Sequence, residues 1–237
     1  MKPFHISNDF KILNLSLFLK KENVLIISDL HIGYEEALNK QGILIPRFSL
    51  QDSLKQLKEI IGKKRFDRII INGDLKHEFG TVSNQEWRDT KAIATFLKEK
   101  TKKLILVKGN HDTILTPMKK FDVEIVKEIR IGDILIVHGD KIPEDIEKIK
   151  TIIIGHEHPA ISLRDNSRVE RFKCFLIGTF KGKRLIVMPS FNPVLPGSDV
   201  LKDKMLSPLL TNVDDFEVIV VDKEVLEFGK IKVLKGI

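Results

Sequence analysis

The sequence predicts a layered α/β sandwich in a single domain, and three observations carry that expectation. Short β-branched apolar runs recur between residues 24 and 154, each too short to be a helix. Segments of helical period separate the early runs, and strand, helix, strand, helix implies a largely parallel sheet. After residue 160 the apolar stretches are split by Gly, Lys and Asp with no long helical interval, which reads as antiparallel hairpins forming a second sheet packed on the first.

In chain order the expected strands are VLIIS at 24–28, RIII at 68–71, KLILV at 103–107, DILIV at 133–137 and TIII at 151–154. The first helical interval carries Leu50, Leu54, Leu57 and Ile61 behind Ser49 as its expected cap, and the next carries Trp87, Ile93, Phe96 and Leu97. FKCFLIGTF, KRLIVMPS, FEVIVVD and EVLEFGKIKVL supply the later strands. No Ser/Gly/Pro-rich linker, internal repeat or low-complexity tract interrupts the chain, so residues 1–237 are expected to form one domain.

A hydrophobic fraction of 42% with 31% charged residues is that of an ordinary globule, and no apolar run approaches the roughly 20 residues of a membrane-spanning helix. The amino terminus is punctuated by His5, Asn8, Asp9 and Lys11, unlike a secretory leader, so a cytoplasmic location without membrane attachment is expected. The one cysteine, Cys174, reads as a small buried side chain and His5 as a surface residue. A formal charge of +7 suits an anionic partner such as nucleic acid; lysine with glutamate in an Ile-rich chain is equally a thermophile habit.

The residues that follow the expected strands form an ordered series. VLIIS leads into Asp29-Leu30-His31, RIIIN into Gly73-Asp74, LILVK into Gly109-Asn110-His111-Asp112, ILIV into His138-Gly139 and TIII into Gly155-His156-Glu157-His158. In an open α/β sheet, ligands bind at the carboxyl ends of the strands, so five strand ends deliver carboxylate, imidazole and amide groups to one rim. Those donors suit hard-to-borderline divalent cations. Alternate side chains leaving a strand point the same way, so Asp29 and His31 can share an ion; His156 and His158 have the same spacing. Asp74, a lone carboxylate with two oxygens, is the natural bridge, and the glycines at 73, 109, 139 and 155 allow tight turns. A single such motif is more often a cap or a turn; five in series are not.

The ordered set D-x-H, G-D-x-x, G-N-H-D, H-G and G-H-x-H over residues 29–158 resembles the calcineurin-like metallophosphoesterase superfamily. GDLKH, GHEHPA and PSFNPVLPGSD are similar to its archaeal and bacterial SbcD-related members, including the ligase- or helicase-associated PdeM type. The resemblance implies a four-layer αββα fold and two divalent ions, manganese first, with nickel, zinc, iron or magnesium as alternatives. One ion would be held by Asp29, His31, His158 and bridging Asp74, the other by Asp74, Asn110, His138 and His156, with a bridging hydroxide as nucleophile. His111 would contact the phosphate and protonate the leaving oxygen. Asp112 would either fix the His111 tautomer or cap the turn.

The sequence departs from the family pattern at three positions. His77 stands where phosphatases often carry Asp followed by a phosphate-binding Arg, so that arginine is missing, and His77 either faces the site or sits on its loop; Glu157 replaces a more usual Thr and is expected to face away from the metals; Asp140, after His138-Gly139, stands where related nucleases often have another His. Asn192, in the Pro/Gly-rich loop, is explained by turn formation. By resemblance and charge, the expected activity is a phosphodiesterase of the DNA or RNA nuclease type, with a DNA helicase or ligase as possible partner. Hydrolysis of small nucleotides is the alternative within enzymes, and a catalytically inactive scaffold the alternative outside them.

Overall fold

The computed structural model describes residues 3–45, 48–77, 83–112, 121–165 and 168–236. One seven-stranded sheet is built from β1 (Phe4–His5), β2 (Phe10–Leu13), β3 (Ser16–Leu19), β4 (Val24–Ser28), β5 (Phe66–Asn72), β6 (Thr101–Val107) and β7 (Glu124–Val126). Helices α1 (Tyr34–Lys40) and α2 (Ser49–Ile61) lie between β4 and β5, and α3 (Asn84–Lys98) between β5 and β6. A nine-stranded sheet follows: β8 (Glu128–Ile131), β9 (Ile134–Val137), β10 (Thr151–Ile154), β11 (Pro159–Asp165), β12 (Arg168–Phe180), β13 (Lys183–Val187), β14 (Ser198–Asp199), β15 (Glu217–Val221) and β16 (Val225–Lys230). A short α4 (Ile231–Leu234) comes last. No helix among the described residues is long and apolar enough to cross a membrane.

Two expectations about the sheets are corrected. The first sheet is parallel only from β4 through β7; β1 to β4 pair antiparallel. That amino-terminal half has no helical interval, and without a crossover consecutive strands can only fold back as hairpins. The sheets also divide earlier than residue 160. The chain leaves the first sheet after Val126 and enters the second at Glu128, so DILIV and TIII belong to the second sheet, where β9, β10 and β13 run parallel. The rim of strand ends is therefore made by two sheets.

Period-2 alternation decides how these layers pack. Ile134, Ile136, Ile153 and Ile186 face the first sheet and join its core with Leu25, Ile27, Ile69 and Leu104; Leu135, Val137, Ile152, Leu185 and Val187 point to the opposite face. The outer face of the first sheet is covered by α2 and α3 through Leu57, Ile61, Ile93 and Leu97. The outer face of the second is covered by Val200, Leu209, Leu210, Val213 and Phe216 of an irregular segment and by Ile231 of α4, rather than by long helices. Ser49 is not the cap of α2. Its helix starts behind Phe48, and Glu35 Oε1 of α1 accepts the amides of Phe48 (3.0 Å) and Ser49 (2.7 Å).

Candidate metal centre

The ends of β4, β5 and β6 meet the ends of β9 and β10 across the gap between the sheets, and the chain bends sharply there. Asp29, His31, Asp74, His156 and His158 all take left-handed φ values of 38–64°. Asp and His tolerate this region better than most residues, yet each such bend costs about 1–3 kcal/mol and persists only when its surroundings fix it. Pairing resumes beyond the bends: the His31 amide donates to Asp74 O, Ile32 to Leu75 O and His77 to Ile32 O, each at 2.9 Å. The ladder thus sets His31 beside Asp74.

Among the described residues, the side chains expected as ligands converge in two groups that share one residue. Asp29, His31, Asp74 and His158 bring ligand atoms within 4.8 Å of one another, and so do Asp74, His138 and His156. His31 Nε2 lies 3.1 Å from His158 Nε2 and 3.7 Å from Asp74 Oδ2; His138 Nε2 lies 3.3 Å from the same Oδ2, 3.2 Å from His156 Nδ1 and 2.8 Å from Asn110 Oδ1. Asp74 Oδ1 is occupied by the His111 amide (2.9 Å), so Oδ2 alone is common to both groups. His156 and His158, two residues apart, divide between the two groups.

Asp29 shows that the donor set suits cations. Its Oδ2 accepts the His156 amide (3.1 Å) and sits 2.7 Å from Ser28 Oγ, whereas its buried Oδ1 has no hydrogen-bond donor among the described residues. A buried carboxylate oxygen left unsatisfied is costly unless a cation completes it. That orphan oxygen, facing His158 Nε2 at 3.5 Å, fits a divalent ion.

The calcineurin-like phosphoesterase family matches residues 22–221. The chain belongs to this family. It is accordingly a phosphoesterase hydrolase, of a family that uses divalent metals. Over 96% of this chain and 99% of the other, the fold is similar to the crystal structure of nuclease MPE from Pseudomonas putida, at 18% identity and a TM-score of 0.68. AQ665 of Aquifex aeolicus, a protein of unknown function, matches 61% of this chain and 81% of its own at 23% identity and a TM-score of 0.38. Zinc-complexed Vps29 of Entamoeba histolytica matches 86% of this chain and 96% of its own at 18% identity and a TM-score of 0.36. No curated protein matched the sequence.

In this phosphoesterase the bends at Asp29 and His31 are clamped from the second sheet. The loop after β13 donates Ser190 Oγ to Asp29 O (2.7 Å), Phe191 N to Ser28 O (2.8 Å) and Asn192 Nδ2 to Leu30 O (2.9 Å) and His31 O (3.1 Å). Asn192 Oδ1 in turn accepts Val194 and Leu195 amides. Turn formation is only half of its role: the buried amide braces a candidate ligand segment. Lys173, on β12, anchors that loop by donating to Ser190 O (2.8 Å) and Asn192 O. Burial pushes the Lys173 ammonium down to about 7. The lysine in the apolar RFKCFL run was the available signal for this anchor, since a charge inside a buried strand must have partners.

Asn72 Nδ2 donates across the sheets to Val137 O (3.0 Å), and Glu157 accepts the amides of Leu206 and Ser207. Glu157 therefore faces away from the donor groups. Gly109 and Gly155 are needed for close approach, because a Cβ there would stand 2.2 Å from Asp74 Oδ1 and 2.0 Å from Ser28 Oγ. Gly73 adds a φ of 80° to a similar approach to His138.

The electrostatics divide the histidines. Burial, and then the charge of His158, pushes His31 down to about 3, keeping its imidazole neutral and able to ligate. Burial opposes charging of His138 too, but its contact with Asp74 and the charges of Asp29, Asp74 and Asp140 outweigh it and raise the group to about 9. These neighbouring carboxylates are what make His138 basic. Burial works against ionisation of Asp29, yet the neighbouring His158, His138 and His31 hold it below the usual carboxylate range.

Of the two roles open to Asp112, the contacts support the turn. It does not orient His111: Oδ1 accepts the Leu75 (3.1 Å) and Lys76 (3.4 Å) amides and Oδ2 the Gly109 amide (3.0 Å), so both oxygens tie backbone turns. The His111 ring is fixed instead by Nδ1, 2.6 Å from His77 O. His77 also faces the site, with Nδ1 3.4 Å from His31 Nδ1 and its ring stacked on that of His111 at 5.5 Å. Cys174 is fully buried and His5 exposed, as expected.

Proposed function

We propose that this phosphoesterase is a dinuclear-metal-dependent phosphodiesterase acting on nucleic acid. The observation that carries the reading is Asp74 Oδ2, which faces both His31 and His138 and so stands common to two donor groups. Asp29, His31, His158 and Asp74 would hold one divalent ion; Asp74, Asn110, His138 and His156 the other. When bound, the pair supplies Lewis-acid neutralisation of the phosphoryl oxygens and acidifies water to give a nucleophile near neutral pH. Nitrogen and oxygen donors without thiolate suit manganese, with nickel, zinc, iron and magnesium as competitors.

The chain's own groups do the rest. Asp74 Oδ1 holds the His111 amide, placing that residue at the edge of the centre. Because His111 Nδ1–H donates to His77 O, Nε2 is the ring nitrogen that would carry a proton to the leaving oxygen. Three backbone donors on Asp112 keep the Gly109–Asp112 turn in place beneath it.

A polymer substrate is supported by the charge of +7 and, as analogy of fold, by the nuclease from Pseudomonas putida. Cleavage of an oligonucleotide and of bis-p-nitrophenyl phosphate should be compared over increasing salt. Oligonucleotide cleavage should weaken steeply, by the counterion release that several phosphate contacts entail, while the small diester is nearly indifferent. Equal salt dependence would favour a small nucleotide as substrate. His111→Ala should retain the metal content of the wild type and lose ~10²-fold or more in kcat; undiminished turnover would remove His111 from the proton path.

A further inference from the structure

The strand registers place a two-stranded ribbon beyond the rim of the metal centre. Lys173 of β12 pairs with Ala160 of β11 and with Val221 of β15, so β11 and β15 lie on opposite edges of β12. Leu176 pairs with Val187 of β13 and Val218 of β15, so β13 and β15 are likewise opposed. β11 and β13 therefore occupy one edge of β12, end to end. β11 also runs in the direction of β13 and β10, since it is antiparallel to β12, which is antiparallel to β13, which is parallel to β10. It starts at Pro159, directly after His158, and continues past the level at which β10 and β13 end.

Beyond Lys173, among the described residues, neither strand pairs with a further strand except at the root, where β14 meets Pro159 and Ala160; on the other side Ile161 is buried and Leu163 and Phe172 pack against the second sheet's outer core. What remains is a ribbon of Ile161–Arg164 against Val169–Phe172, closed by the Asp165 and Arg168 pair. At 3.4 Å per residue it reaches roughly 17 Å past the root.

Its chemistry is cationic on the side turned to the metals. Cross-strand partners share a face, so Arg164 with Val169, Ser162 with Arg171 and Ala160 with Lys173 stand on one side. That side is the one from which Lys173 reaches Ser190 and Asn192, the loop that braces Asp29 and His31, and from which Arg171 Nη1 reaches Gly197 O at 3.0 Å. Arg164 stands further out, exposed and, among the described residues, with no ion pair or side-chain hydrogen bond. Arg168, on the other side, is exposed 3.9 Å from Glu170. Arginine forks in an exposed ribbon match phosphate oxygens, and a two-stranded ribbon is narrow enough to follow a nucleic-acid groove.

We propose that this β11–β12 ribbon is the nucleic-acid-binding arm of the enzyme, with Arg164 and Arg168 gripping backbone phosphates away from the scissile one. The proposal rests on the nucleic-acid reading above. A reach of about 17 Å corresponds to about five nucleotides at 3.4 Å per step along the helix axis, so only substrates longer than that can touch both the arm and the metals.

The test is Arg164→Glu/Arg168→Glu, compared with wild type and with Lys55→Glu/Lys58→Glu, an equal charge change on exposed positions of α2. Each would be assayed on a dinucleotide and on a 20-nucleotide strand across a salt series, with bis-p-nitrophenyl phosphate turnover and circular dichroism reporting an intact centre and fold. The arm variant should lose about tenfold or more in kcat/KM on the long strand relative to the dinucleotide. Its log–log salt slope should fall by ~1.4, two contacts at ~0.7 each. The α2 variant should behave as wild type. Equal length and salt dependence in all three proteins would overturn the arm. A wild type that turns over the small diester but cleaves no nucleic acid would overturn the nucleic-acid reading instead, and the arm with it.

Discussion

Residues at the centre act through the backbone as much as through their side chains. Left-handed bends at Asp29 and His31 aim the two side chains at one point, and Asn192 holds both bends through the carbonyls of Leu30 and His31. Asn192→Ala should leave the fold intact and weaken metal binding about 10–100-fold, the usual cost of removing an outer partner; a calorimetric metal titration matching wild type would show that the bends hold themselves. Gly109→Ala isolates a second constraint, because Gly109 has an ordinary φ and its missing Cβ alone keeps Asp74 Oδ1 in place. Metal affinity should fall at least tenfold, read by the same titration. Lys173 supplies a pH test in the metal-free protein. Its folded pKa, about 7, lies below the ordinary lysine value of 10.5, so the unfolded chain binds more protons between those values. Stability should therefore rise as pH goes from about 7 to about 10, and Lys173→Met should flatten the rise in urea-unfolding curves.

Elements were legible to different degrees, for physical reasons. VLIIS, RIII and KLILV are buried on both faces, so their apolar runs are unbroken and easily read. Strands β2 and β3 escaped because each is four residues long and joined by a tight turn at Asn14, leaving too little period to recognise. The sheet switch at Lys127 left no mark in composition, since β7 and β8 are both partly exposed edge segments. The ligand candidates were readable as strand-end residues, whereas their support was not: Ser28, Asn72, Ser190 and Lys173 act through carbonyls and amides distant in sequence. Of the two readings the sequence left open for Asp112, contacts distant in sequence decide for the turn, because its three acceptor contacts are to backbone. The helix caps illustrate the point locally. Ser83 accepts the Glu86 amide at 3.0 Å and donates to Glu36 Oε2 at 2.6 Å, tying α3 to α1. Ser83→Ala should cost about 1 kcal/mol in thermal or urea unfolding; a change below a few tenths would mean that the α1 contact, not the cap, fixes the helix start.

At the scale of the molecule the centre is a seam between sheets. Asp29, His31, Asp74 and Asn110 come from the first sheet, and His138, His156 and His158 from the second. Bound ions would tie the layers together, and free metal at 100 times its Kd adds ~2.7 kcal/mol to the stability of the folded state. Chelation should accordingly lower the urea midpoint with little change in slope. The most direct test of the dinuclear phosphodiesterase reading is metal content per chain measured alongside turnover of bis-p-nitrophenyl phosphate, for wild type and Asp74→Ala reconstituted with manganese. The account predicts two ions bound and turnover in the wild type, with the pair and the turnover both lost in the variant. A wild type that stays metal-free and inert after reconstitution, or an Asp74→Ala protein that keeps both ions and full turnover, would contradict it.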